Sequence, residues 1–232
     1  MRSSAAKAAS SAAAASRCAR PTARIPPTAQ RLRSKATTAG PRRVPPDPQR
    51  RDRAPRMTAP VIRRIERHEA ARLAALLRRL FVEAYADCSA PANVEAYLDD
   101  AFGVAQQTRE LDDPAHPAWV VEHDDEWLGV LQVRLPSTPP PQVDLLRPAQ
   151  LHRIYLTTAA IGRGLGRRLL DIALDTARRG GADGLWLSVW QRAPGPIAVY
   201  QRAGFRIVGT TTFVVGDDPL DDWIMQRRID AA

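Results

Sequence analysis

Three glycines in five residues, Gly162, Gly164 and Gly166, separate a strand-like run ending at Leu156 from an amphipathic stretch that begins at Leu165. A chain that turns from strand to helix in so few residues needs the conformational freedom of glycine, and the missing side chains let a ligand come close to the backbone. The first amides of the following helix have no partner within it, so they and the helix dipole favour an anion, a phosphate above all. Each such amide contact is charge-assisted and contributes about 1.5–3 kcal/mol. Arg163 and Arg167 add side-chain charge. The segment is not a nucleotide P-loop, because no Gly-Lys-Ser/Thr follows, nor a full dinucleotide fingerprint, because Arg167 stands at its last glycine. A strand-helix corner tightened by glycine is the plainer alternative for the segment taken alone.

The flanks restrict it further. Leu165, Leu169, Ile172, Ala173 and Thr176 make one helical stripe, opposed by Arg167, Arg168, Asp171, Asp175, Arg178 and Arg179, and Gly180-Gly181 closes it. The strand expected at 185–190 then runs parallel to the one at 150–156, as a βαβ unit requires. Upstream, 61–66 reads as a strand, and Leu73, Leu76, Leu77, Leu80, Phe81 and Ala84 predict a helix. Val94, Tyr97, Leu98, Ala101 and Phe102 predict a second, less regular helix that is over by 112–117. Residues 118–122 and 127–135 flank a polar turn and predict an antiparallel hairpin. A Pro-rich loop at 137–141, a short helix at 197–202 and strands at 205–215 and 223–228 complete the expectation.

Charge divides the chain. Its net charge of +9 would suggest a polyanion partner if it were spread over a folded surface, but residues 1–56 alone carry +12 and the remainder carries −3. The first 56 residues are rich in Ala, Ser, Arg and Pro, with almost nothing apolar to bury, and read as a disordered basic tail preceding a domain at 57–232. Three readings of the tail stay open: a polyanion-binding arm, an organellar transit peptide, or upstream sequence ahead of a start at Met57. No apolar run approaches the roughly 18–20 residues that span a bilayer. Cys18 and Cys88 give no disulfide framework, and four scattered histidines give no metal spacing. The expectation is a soluble, metal-free protein of the cytoplasm, or of an organelle if the tail is a transit peptide, with no nucleic-acid or membrane partner.

The glycine segment in its setting resembles a known family. Gln150–Leu156 followed by Ile161-Gly-Arg-Gly-Leu-Gly-Arg-Arg-Leu-Leu170 resembles motif A of the GNAT superfamily of N-acetyltransferases, and Leu187-Ser-Val-Trp190 with Ile197-Ala-Val-Tyr-Gln-Arg-Ala-Gly-Phe205 resembles its motif B. The ending, Val215-Gly-Asp-Asp-Pro-Leu-Asp-Asp-Trp-Ile-Met225, is similar to that of the PaiA-type polyamine acetyltransferase branch. The resemblance covers about 61–229. It implies an α/β fold: a mixed, mostly antiparallel sheet of six or seven strands with helices on both faces, splayed near Leu156. It implies that Ile154, Tyr155 and Leu156 hold the thioester and pantetheine of acetyl-CoA, chiefly through the backbone of Ile154 and Leu156. Ile161, Gly162, Arg163, Gly164, Leu165, Gly166 and Arg167 would hold the pyrophosphate, and Tyr200 would stand near the sulfur as an acid. Ile161 departs from the usual polar first residue of that loop; Ala193, Pro196 and Val199 depart where the family has Asn, Ala and Phe.

The implied reaction transfers an acetyl group to a primary amine, first of all a polyamine or similar small amine, with a peptide N-terminus, an aminoglycoside or an amino acid open. An alkyl amine of pKa about 10.4 is mostly protonated at pH 7, so a base is needed, whereas a thiolate of pKa about 8.5 leaves without much help. The base is not legible: Glu122, Glu126 and His152 flank the implied cleft but read as readily as strand and turn residues. Asp87, Glu95, Asp99 and Asp100 suit a cationic amine and equally a solvated helix face. A non-catalytic acyl-CoA-binding module is the alternative, and a homodimer is compatible with either.

Overall fold

The computed structural model describes residues 59–85 and 89–229; the basic tail, Met57, Asp87 and Cys88 lie outside the described residues. The elements are β1 (Val61–Arg64), α1 (Ala70–Tyr85), α2 (Pro91–Phe102), α3 (Val104–Asp112), β2 (Ala118–His123), β3 (Glu126–Arg134), β4 (Pro148–Leu156), α4 (Leu165–Arg179), β5 (Gly184–Trp190), α5 (Pro194–Arg202), β6 (Arg206–Val215) and β7 (Asp218–Arg228). Among the described residues one seven-stranded sheet runs β1-β2-β3-β4-β5-β7-β6, and there only β4 and β5 are parallel.

Period-two alternation along the strands sorts the core into two layers. Val120 and Val130 face α1 and α2, where Leu73, Leu77 and Phe81 of the predicted stripe are buried with Phe102. Val121, Leu131, Leu185 and Leu187 face the other way, against Leu165, Leu169, Ala173 and Ala177 of α4 and Tyr200 of α5. The α/β fold with helices on both faces is as expected. The expected second helix is instead two helices, because Gly103 takes an extended conformation (φ −63°, ψ 147°). Apolar periodicity could not reveal α3: the residues it buries are Gln107 and Glu110. β7 likewise starts five residues earlier than expected, since the acidic run before Trp223 reads as a loop yet pairs along β6.

Two irregularities in β4 prepare the site. A bulge at His152 changes the alternation, so that Ala149 and Leu151 before it and Ile154 and Leu156 after it all face the α4 layer. The parallel ladder to β5 spans only Pro148–Gln150 against Gly184–Trp186, and beyond it the two strands part. On the other side of β4 the approach is close: a Cβ built on Gly129 would lie 2.5 Å from Leu156 Cδ2 and 2.6 Å from the Tyr155 carbonyl oxygen. Gly129→Ala is therefore expected to destabilise the fold by about 1–3 kcal/mol, measured by urea unfolding, because a backbone group must move to admit the methyl.

Candidate active site

The gap between β4 and β5 is lined by main chain, and the registers say by which residues. Thr157 N–H donates to Leu128 O at 2.8 Å, in the register that sets Leu156 opposite Gly129. Hydrogen-bonded and non-bonded pairs alternate along an antiparallel ladder, so Arg153 and Tyr155 bond to β3, whereas the N–H and C=O of Ile154 and Leu156 turn toward β5. On the other wall, Gln191 N–H donates to Asp221 O at 2.9 Å, so Val189 and Leu187 bond to β7 while Ser188 and the N–H of Trp190 turn toward β4. Two rows of main-chain groups thus face each other where the ladder has ended. Buried peptide groups are costly without partners, and an extended ligand with amides of its own would supply them.

The glycine loop follows the end of β4 after one 3-10 turn, Thr158–Ala160. Gly162 (φ 79°) and Gly164 (φ 75°) are left-handed, and a Cβ on either would meet nothing within 4 Å, so it is conformation and not crowding that calls for glycine there. Gly164 is the N-cap of α4, and the helix's internal bonding begins with Arg168 N–H to Gly164 O at 3.2 Å. The amides of Leu165, Gly166 and Arg167 therefore open outward beside the exposed Ile161 and Arg163. Gly166 differs from the other two: it is helical, and its Cβ would make an ordinary 3.6 Å contact with Leu156 Cδ1. Arg167 is held by Asp171 at 3.1 Å in an exposed pair. These residues fit a phosphate-bearing ligand whose extended arm enters the gap. Gly164→Val is expected to weaken acetyl-CoA binding about 10- to 100-fold by calorimetry, since a β-branched residue at positive φ forces the loop to rearrange. Gly166→Ala should change affinity less than threefold, roughly, because its Cβ is accommodated without moving the backbone.

Tyr200 is 8% exposed, packed edge-on to Phe205 at 5.9 Å in the layer shared with Ile154, Leu156 and Leu165. Burial, and after it the proximity of Tyr155, pushes its phenol well above the ordinary range, so it stays protonated. Tyr155 projects its ring to the opposite face, into the α1 layer, and burial raises its phenol too. The expected site residues are thus brought together around one gap: β4 main chain, loop and Tyr200.

The base candidates fare differently. Glu122 accepts from Arg63 at 2.7 Å and from Trp127 Nε1 at 2.9 Å, and the Arg63 bond holds its carboxyl below the usual range. Glu126 lines a concavity with Arg72, Arg79 and Trp127, two strands from the gap. His152 is half-buried, its enclosed Nε2 has no hydrogen-bond partner among the described residues, and desolvation followed by Arg153 and Arg134 depresses it well below 6.5. None is placed to take a proton at the gap. The carboxylate that is placed there went unnoticed in the sequence: Asp222 of β7, 5% exposed and opposite Trp190. The signal was available, because Asp222 stands in phase with the core residues Leu220 and Ile224 along the strand.

Comparison with known proteins agrees with this geometry. A chain 28% identical over 161 residues, 69% of this chain and 98% of the relative, is an uncharacterized N-acetyltransferase of Mycobacterium tuberculosis strain H37Rv. The N-alpha-acetyltransferase RimI of the same organism is 34% identical over 146 residues, covering 61% of this chain and 87% of that one. In fold, the PaiA N-acetyltransferase of Thermoplasma acidophilum, solved with coenzyme A, superposes with a TM-score of 0.59 at 16% identity, covering 74% of this chain and all of that one. The model of the Acetyltransferase (GNAT) family matches residues 72–205, a span that includes both walls of the gap, the glycine loop and Tyr200. A match over more than half of the chain, on the elements that build the cleft, places this protein in the GNAT family of N-acetyltransferases.

Proposed function

We propose that the acceptor is a primary alkyl amine of small size, a polyamine or a relative of one, acetylated from acetyl-CoA in the gap between β4 and β5. The observation that carries the reading is the pair of facing main-chain rows, Ile154 and Leu156 against Ser188 and Trp190, next to the open N-terminus of α4. Acetyl-CoA bound there supplies an activated acyl carbon and a thiolate leaving group. The backbone of Ile154 and Leu156 orients the pantetheine and thioester, the amides at 161–167 hold the pyrophosphate, and Tyr200 donates a hydrogen bond toward the sulfur. Support for an alkyl amine comes from the opposite side of the gap, where Tyr85 and Trp190 (ring centroids 6.1 Å apart) stand near a carboxylate. Aromatic faces beside an anion suit an ammonium group.

A second reading, a peptide N-terminus as acceptor, is favoured by the RimI relative at 34% identity. The test is thiol release from acetyl-CoA by the full chain over spermidine, spermine, amino acids, aminoglycosides and N-terminal peptides. Saturable release with polyamines alone is the expected result, and release with peptides alone would replace it by the second reading. Silence over the whole panel, with acetyl-CoA binding demonstrated, would make the chain a non-catalytic acyl-CoA-binding module.

A further inference from the structure

We propose that Asp222 is the proton acceptor of the reaction: the acceptor's ammonium group docks beside Tyr85 and Trp190 with Oδ1 of Asp222 as its counter-charge, and gives that oxygen its proton. This rests on the amine-acetylation reading above and deepens it.

The case begins with position. Asp222 lies opposite Trp190 as a non-hydrogen-bonded pair of the β5–β7 ladder, the geometry in which cross-strand side chains stand closest. It points to the face opposite Tyr200, so the gap separates the residue assigned to the leaving group from the one assigned to the incoming amine. Its carboxyl is buried, yet Oδ1 has no hydrogen-bond partner among the described residues. Ser188, whose side chain hydrogen-bonds to the carboxyl, is itself exposed, so the gap is open to an entering ligand next to the acid. A buried carboxylate oxygen without a donor is costly to the fold, and an ammonium would supply both the donor and the opposite charge.

The electrostatics agree. Burial first, and the neighbouring Asp221 charge after it, raise the Asp222 carboxyl to about 6, against the opposing effect of the Ser188 bond. The other titratable groups that sense it are Tyr85 of α1 and Tyr155 of β4, both neutral phenols. A carboxyl near 6 is ionised at neutral pH and is a stronger base than an ordinary aspartate, which narrows its distance from an alkylammonium at about 10.4.

The step balances. One N–H proton passes to Oδ1, and the freed lone pair forms the C–N bond at the thioester carbonyl carbon. The C–S bond breaks with its electrons on sulfur, and the second proton shed by nitrogen ends on that sulfur. Amide and thiol result, and Asp222 returns its proton to solvent.

The test uses Asp222→Asn and Ser188→Ala in the full chain. For the wild type, kcat/KM should rise through an acid limb near pH 6. Asp222→Asn should lower kcat/KM about 100- to 1,000-fold at pH 7.5, since only roughly one amine in a thousand is then unprotonated. The acid limb should vanish and the deficit should shrink steadily toward pH 10, while acetyl-CoA affinity is kept. Ser188→Ala should move the limb upward, because the bond that holds the carboxyl down is gone. A readout without any substrate accompanies these. A carboxyl at about 6 in the fold and about 3.9 unfolded destabilises the protein as pH rises from 4 through 6. Asp222→Asn should therefore unfold less readily than wild type at pH 8, by up to about 100-fold in the unfolding constant, with the difference lost near pH 4. Wild-type turnover with an acid limb unchanged in Asp222→Asn would overturn the assignment alone. Absence of turnover by the wild type on every amine would remove the amine-acetylation reading and this assignment with it.

Discussion

Replacing Tyr200 with phenylalanine is expected to lower turnover between about 10- and 10,000-fold while acetyl-CoA affinity changes by less than roughly twofold. The variant isolates the hydroxyl, because the ring keeps its edge-on contact with Phe205 and its place in the apolar layer that also holds Leu165 and Leu169. What is lost depends on what the hydroxyl does. Burial holds it protonated far above neutral pH, so it can always donate a hydrogen bond. For the same reason it is a weak acid, and giving its proton outright to a thiolate of pKa about 8.5 would be uphill. On the proposed placement a phenol would stabilise charge as it gathers on sulfur, which points to the middle of that range, the scale on which removing a single oriented donor costs about 10²–10³ in kcat. Measured kcat with KM for acetyl-CoA separates the outcomes. A fall in kcat with unchanged KM places the hydroxyl at the transition state. Unchanged kcat would reduce Tyr200 to the ring that packs α5 against the sheet.

How far the sequence could be read follows the physics of each element. The α4 stripe and the hairpin strands were legible because their burial is apolar and periodic: Leu165, Leu169 and Ala173 repeat as a helix repeats, and Val120, Val121, Val130 and Leu131 alternate as strands do. The glycine loop was legible because positive φ leaves few alternatives to glycine at 162 and 164. The elements misjudged are those whose buried residues are polar. α3 hides Gln107 and Glu110, so a search for apolar periodicity passes over it, and the first half of β7 hides Asp222 within an acidic run, so only the part from Trp223 onward reads as a strand. The main-chain rows of the gap are not legible in residue types, and only the family resemblance pointed to the backbone of Ile154 and Leu156 on one wall. Which residues of β4 and β5 turn toward each other depends on the bulge at His152 and on where the parallel ladder stops. Both are products of tertiary register, and no residue type announces them.

The polar burial that concealed α3 also predicts the largest loss of stability. Glu110 is 4% exposed, and its carboxylate accepts from Arg153 at 2.5 Å and from Gln132 at 3.2 Å. Arg153, 9% exposed and stacked over Phe102 at 5.1 Å, also donates to Gln132 at 2.7 Å, which joins α3 to both β3 and β4. Burial alone would raise the Glu110 carboxyl, but the charge and hydrogen bond of Arg153 outweigh it and hold it below the ordinary range. Glu110→Ala leaves a guanidinium in the core without its counter-charge and should cost about 3–5 kcal/mol, read from urea unfolding at pH 7. The double variant Glu110→Leu, Arg153→Met removes both charges together and should recover most of that loss, as buried pairs replaced by apolar residues commonly do. The pH dependence provides a second check, with a sign opposite to that of Asp222. A carboxyl depressed in the fold contributes stability above its unfolded pKa of about 4.3 and loses it as pH falls through the folded value. Wild-type stability should therefore fall on acidification below pH 4 more steeply than that of Glu110→Ala. If Glu110→Ala unfolds with wild-type midpoint and the same acid dependence, the pair does not hold α3 to the sheet, and apolar contacts alone dock that helix beside the cleft.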